Sequence, residues 1–236
     1  MKKVIFALVA ILMFGLSGCF KTGDNITTYP YGPAIVGYSS TFQPLIITPL
    51  GICLAPELQS KLTAGELYEG SVIWTCFTIN HDQKTASGDY IAYSLDWDTV
   101  DIYMPFATDG GAGSGDYDFP IADVEVISWF RNYMFVLFGH TASGNQAVDY
   151  EMTFDYNETG VYPEVFIRAK KNGQGSSNEV FIERFCAFHM GNFVNMHLNS
   201  ENMLIFDIKY KTGVDDDGND KYNGWRSNPA RVEIWE

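Results

Sequence analysis

The sequence predicts an all-β protein, a small β-barrel followed by an antiparallel β-sandwich. Three observations predict it. Apolar and polar side chains alternate with a period of two in residues 72–80, 149–156 and 204–211, the signature of strands with one buried face. Gly, Pro, Asn and Asp separate such runs at short intervals, and no long stretch carries the 3.6-residue apolar stripe of a helix.

Residues 34–37, 45–48 and 52–54 read as short strands, with Pro49 and Gly51 between the last two. Pro56, Leu58 and Leu62 suit one or two helical turns, because proline is tolerated in a first turn. In residues 72–80, Ile73, Thr75, Phe77 and Ile79 face one way, and Trp74, Cys76, Thr78 and Asn80 face the other. Residues 90–95 and 100–104 add two strands, completing a small domain over 33–108. Residues 109–118 hold four glycines and three aspartates with little apolar anchoring, which reads as a linker.

The second domain then spans 119–236. Residues 124–127 and 132–138 are strands, the latter apolar on both sides and therefore central. Tyr150, Met152, Phe154 and Tyr156 alternate with Asp149, Glu151, Thr153 and Asp155, predicting one buried and one wet face. Residues 165–169, 180–184, 204–210 and 231–235 supply enough further strands for two packed sheets.

The amino terminus carries an address. Lys2 and Lys3 precede eleven unbroken apolar residues, 4–14, in the order of a secretory signal. As a helix that run covers about 16 Å, roughly half the hydrocarbon core of a bilayer, so it does not span as an ordinary helix. Leu16-Ser17-Gly18-Cys19 resembles the bacterial lipobox, which implies removal of residues 1–18 and acylation of Cys19. Two or more acyl chains make such attachment to a lipid bilayer durable. Residues 19–32, polar and rich in Thr, Gly and Pro, read as a tether. Phe20 is not the Asp that commonly retains lipoproteins in an inner membrane, which implies the outer membrane. Lys21-Thr22-Gly23 stands where surface-displayed lipoproteins often carry acidic residues, which implies the periplasmic face over the cell surface.

The formal net charge is -14, and it becomes -16 once Lys2 and Lys3 leave. A field of that sign opposes nucleic acid, whose phosphates need cationic partners. Beyond Cys19 only Cys53, Cys76 and Cys186 remain, so one internal pair at most can form, Cys53 with Cys76, and free thiols are the preferred reading.

Candidate chemistry is sparse. His81, His140, His189 and His197 match no close metal-ligand spacing, and His81 and His140 read as turn or partly exposed residues at strand ends. Gly113-Ser114-Gly115 lacks the strand that a nucleophile elbow requires. Residues 215–220 place four carboxylates within six positions, but Asp220 and Arg226 stand where an EF-hand needs Gly and Glu, so the segment reads as a solvated hairpin tip. No catalytic, cofactor or metal site is therefore expected. Among five tryptophans, Trp97 between two aspartates and Trp225 beside Arg226 are the candidates for surface contacts with a glycan.

The lipobox, residues 73–79 (Ile-Trp-Thr-Cys-Phe-Thr-Ile), the second half opening near Val124 with Trp129, Tyr133 and Phe138, and the segments 150–154, 163–168 and 204–210 resemble the NigD-like lipoproteins of Bacteroidota. That resemblance implies an OB-type first domain and a β-sandwich second domain. It carries no catalytic residue over to this chain. The function expected is a non-enzymatic envelope lipoprotein that acts as an accessory or interaction module toward another envelope protein, with glycan binding through exposed aromatics as the alternative. Asp98-Thr99-Val100 also resembles the O-glycosylation signal of periplasmic proteins in that phylum.

Overall fold

The computed structural model describes residues 20–21, 25–156, 162–173, 178–199, 203–227 and 230–231. Residues 1–18, read from sequence as a signal ending in a lipobox, and Cys19 lie outside the described residues. The chain divides into two compact units, Met1–Val100 and Asp101–Glu236.

The first unit holds β1 (Phe20–Lys21), β2 (Ile26–Tyr38), β3 (Pro44–Thr48), β4 (Gly51–Leu54), β5 (Val72–Lys84) and β6 (Tyr90–Thr99). Strand order is β1-β2-β3-β4-β6-β5, and β5 pairs back onto β2, which closes a five-stranded barrel from β2 through β6. A parallel β4–β6 pair and a short helix, Gln59–Thr63, between β4 and β5 complete the arrangement expected of an OB-type barrel. β2 is long enough to serve two neighbours because its register shifts between Tyr29 and Gly32, and the chain bends there. The strand starts at Ile26, so residues 26–32, read from sequence as tether, are part of the barrel. β1 pairs Phe20 and Lys21 with Thr28 and Thr27.

The alternation in β5 is the one the sequence dictates. Ile73, Thr75, Phe77 and Ile79 are buried, and Trp74, Cys76, Thr78 and Asn80 are half-buried. Ile73, Phe77 and Ile79 join Ala34, Val36 and Ile46 in the barrel core, and Leu58, 1% exposed, joins them from the turn Pro56–Leu58. Burying an aliphatic side chain of this size contributes about 1.5–3 kcal/mol. Glu57 in the same turn accepts hydrogen bonds from the backbone N–H groups of Ser94 (2.9 Å) and Leu95 (3.1 Å), where Ser94 adopts a positive φ of 51°.

The second unit holds β7 (Asp101–Tyr103), β8 (Phe106–Thr108), β9 (Asp123–Phe130), β10 (Tyr133–Ser143), β11 (Ala147–Asp155), β12 (Glu164–Asn172), β13 (Glu179–His189), a helix Gly191–His197, β14 (Met203–Leu204), β15 (Asp207–Val214), β16 (Asp220–Arg226) and β17 (Ala230–Arg231). Two sheets, β7-β13-β10-β9 and β16-β15-β12-β11-β8, form the sandwich, and β14 pairs with β17. β10 is central as expected, paired along its length with β13. Between the sheets Met134, Val136 and Phe138 meet Tyr150, Met152 and Phe154, with Phe138 stacked on Tyr150 at 4.1 Å.

The division falls after Val100, ahead of the glycine-rich segment read as a linker. β7 and β8 are already strands of the second unit, paired in parallel with β13 and β11. The expected strand over 204–210 is broken at Ile205 and Phe206, because the Phe206 N–H is taken by Ser227 Oγ at 3.0 Å. The hairpin partner of β15 is β16, not residues 231–235, of which only Arg231 is described.

Candidate binding surface of the second unit

The outer face of β11 and β12 is dry where the alternation predicted water. Glu151 is 7% exposed and Thr153 is 0% exposed, because residues 109–118 lie across them as a strap. Arg168 on β12, 4% exposed, organises what lies beneath. It donates from Nη1 to Thr153 Oγ1 (2.7 Å), from Nη2 to the Gly111 carbonyl (2.8 Å) and from Nε to the Tyr222 hydroxyl (2.7 Å). Thr153 Oγ1 in turn donates a hydrogen bond to the Gly111 carbonyl at 2.6 Å. The Ser114 N–H is held by Glu151 Oε1 at 2.9 Å.

Glycine is needed in that strap for closeness. A Cβ at Gly111 would strike the Phe166 ring, and one at Gly113 would strike Glu151 and Arg168. Composition made the segment look like a linker, and the groups it meets make it part of the second unit.

The network continues to the sheet edge. Tyr222 donates to Asp220 (3.0 Å), and Lys211 pairs with the same carboxylate (2.6 Å). Burial alone would raise the Asp220 carboxyl, but Lys211, Tyr222 and Arg168 outweigh it and hold it below the ordinary range. Burial pushes the Tyr222 hydroxyl up to about 12.

Beyond the network, Trp225 on the edge strand β16 borders two concavities. One, of about 390 Å³, opens between the sheets and is lined mainly by Val126, Trp129, Met134, Phe206, Ile208 and Trp225. Trp129 is fixed there by its Nε1–H on the Arg131 carbonyl (2.9 Å) and by an edge contact with Phe206 at 6.2 Å. The other, of about 490 Å³, includes Phe166, Asp207, Lys209, Tyr222, Asn223 and Arg226. Both volumes fall in the roughly 300–1,000 Å³ range of ligand clefts.

The expected site residues are distributed as follows. Cys19 lies outside the described residues. Trp97 is half-buried and packs against the barrel core, while Trp225 is 37% exposed. Thr99 is exposed. Trp129 was not singled out from sequence as a contact residue. It is turned inward by its position opposite the wholly buried Met134 in the β9–β10 pair, a register that the sequence alone does not display.

The histidines each have structural surroundings. His81 bonds Thr27 Oγ1 at 2.9 Å, His189 packs edge-on against Tyr133, and His197 lies against Phe154 and Phe193. His140 corrects the turn assignment, being wholly buried within β10 and stacked on Phe119 at 4.8 Å. Cys53, Cys76 and Cys186 are free thiols. Residues 215–219 form the tip of the β15–β16 hairpin, with Asp215 Oδ1 accepting from the N–H groups of Asp217 and Asn219. Among the described residues no group of His, Cys, Asp and Glu is placed to hold a metal ion.

No family model and no curated protein matches the sequence. Among solved structures, an uncharacterized protein from Parabacteroides merdae aligns with a TM-score of 0.69 at 18% identity, covering 88% of this chain and 100% of its own. A protein of unknown function, DUF1344, from Bacteroides vulgatus aligns with a TM-score of 0.52 at 15% identity, covering 89% and 96%. A NigD-like immunity protein from Bacteroides caccae also matches, with a TM-score of 0.46 at 14% identity over 84% and 98%. At these identities the likeness is one of fold, and in fold the chain stands with solved proteins of Parabacteroides and Bacteroides, the bacterial group to which its sequence resemblance points.

Proposed function

We propose that this chain is a non-enzymatic lipoprotein of the bacterial envelope, held at the outer membrane by acylated Cys19 on the periplasmic side, whose second unit docks another envelope protein. The observation that carries this reading is the open apolar cleft between β9 and β16, with Trp129 and Trp225 on its two sides. Tryptophan is over-represented among residues that dominate binding energy at protein interfaces. Anchoring both partners in one membrane raises their effective concentration and favours even a small contact. The structural surroundings of each histidine support the non-enzymatic part of the reading.

The test is a photocrosslinking residue at Val126 in intact cells, with captured proteins identified by mass spectrometry. Repeated capture of one envelope protein from position 126, and none from a control at Leu50 in the first unit, is the expected result. Membrane fractionation of Cys19→Ser tests the anchor separately. A variant that stays as firmly membrane-bound as the parent removes it.

Glycan binding is the second reading. Its observation is the groove that sets the Tyr222 ring beside the Asp207–Arg226 pair, whereas Trp97 is engaged with the barrel core.

A further inference from the structure

The outer face of the β15–β16 hairpin has a notch in it. Along β16, Tyr222 and Arg226 rise on that face with Gly224 between them, and Gly224 stands opposite Lys209. No side chain is admissible at 224, because a Cβ there would run into the carbonyl of Ile208. The result is a patch of bare backbone flanked by an aromatic residue on one side and a guanidinium on the other.

The charges around this patch cancel in pairs. Arg226 donates to Asp207 from Nε (2.9 Å) and Nη2 (3.1 Å), and Lys209 meets Glu164 at 2.6 Å. The Arg226 hydrogen bond holds the Asp207 carboxyl below the usual range, so the pair stays ionised. Tyr222 is fixed from behind by Arg168 and Asp220, which means that its ring is positioned before any ligand arrives.

We propose that this groove is a subsite for a neutral carbohydrate, with one sugar ring resting on the backbone at Gly224 between Tyr222 and Arg226. The proposal rests on the glycan-binding reading above and gives it a ligand class and a place. A hydroxyl both donates and accepts, and the Asp207–Arg226 and Lys209–Glu164 pairs on that face offer both functions around one groove. An anionic ligand would find no unpaired cation in the lining and would approach a chain of net charge -14. A wholly apolar ligand would have to desolvate two ion pairs. A neutral polyhydroxylated ring meets neither penalty, and its C–H face can lie against Tyr222.

The test is affinity electrophoresis of the full mature chain in detergent through gels containing glycogen, galactomannan or arabinoxylan, with polygalacturonate as the acidic comparison. Retardation by at least one neutral polymer is expected, weakened about tenfold in Arg226→Ala and in Lys209→Ala and unchanged in Trp97→Ala. The Lys209 side chain is 36% exposed, so its variant keeps the test valid if Arg226→Ala fails to fold. Retardation by polygalacturonate alone, or neutral binding at full strength in both variants, overturns this subsite while leaving glycan binding intact. No retardation in any gel overturns both.

Discussion

Arg168 donates from Nη1 to the hydroxyl of Thr153 at 2.7 Å, across neighbouring strands and at a depth where both residues are nearly sealed from solvent. A cation can be kept there only because its other donors are also taken, by the Gly111 carbonyl and the Tyr222 hydroxyl, and because Glu151 and Asp220 lie within 3.8 and 3.9 Å. One guanidinium thus joins β11, β12, β16 and the strap.

Removing it is expected to be costly. Arg168→Met leaves Glu151 in a dry site without its cation, and losing one partner of a buried pair costs about 3–5 kcal/mol. Urea unfolding followed by near-ultraviolet circular dichroism measures the loss. The double variant with Glu151→Gln is expected to cost less than the sum of the single changes, since the two side chains act together.

The strap makes a paired prediction. Gly113→Ala must push aside Glu151 and Arg168, and overpacking of this kind costs about 1–3 kcal/mol. Gly115, two residues on, has open space where a Cβ would go, and its alanine variant is expected to stay within about 0.5 kcal/mol of the parent. Equal thermal midpoints for the two variants would show that the strap does not hold tightly to the sheet.

His140 sets a pH dependence. Its Nδ1 donates to the Pro120 carbonyl (3.0 Å), and in the neutral ring Nε2 is left to accept from the Tyr150 hydroxyl (2.8 Å). Burial lowers its pKa, the Pro120 carbonyl partly offsets this, and Arg184 and Lys171 lower it further. The unfolded chain therefore binds this proton more readily than the folded one. Stability is complete above the ordinary histidine value of about 6.5 and falls below it, by at most about 1.4 kcal/mol per pH unit for each such group. His197 acts in the same direction through burial. Unfolding midpoints between about pH 7.5 and pH 5 are expected to decline, and less steeply in His140→Gln.

The thiols are expected to separate by reactivity. Cys76 is half-buried on β5, whereas Cys53 and Cys186 are buried and burial pushes both thiols up. Brief alkylation of the folded protein, read by peptide mass, is expected to label Cys76 first and the other two only on unfolding.

Much of the frame can be read from the chain because exposure on one face leaves a periodic mark. Residues 72–80 and the apolar run at 132–138 carry that mark, and they become the wall of the barrel and the middle strand of a sheet. β16 carries none. Asp220, Lys221, Asn223 and Gly224 belong to an edge strand whose pairing is backbone to backbone, so its side chains are nearly free of burial constraint. The wet face predicted for Glu151 and Thr153 failed for a related reason. Alternation reports which residues share a face, but it does not report what another segment lays over that face. Trp225 was recognisable as a surface residue from its charged neighbour, and its opposite wall, Trp129, required knowledge of how the two sheets close.

For protein engineering, the glycines under the strap reverse an intuitive choice. The stretch 109–118 has the composition of a permissive insertion point, yet an epitope tag placed at 113 or 114 would pull Ser114 from Glu151 and lift the cover from Arg168. The tolerant position is the exposed tip at 216–218, whose side chains make no contact with either sheet's interior and whose turn is closed locally by Asp215 and Asn219.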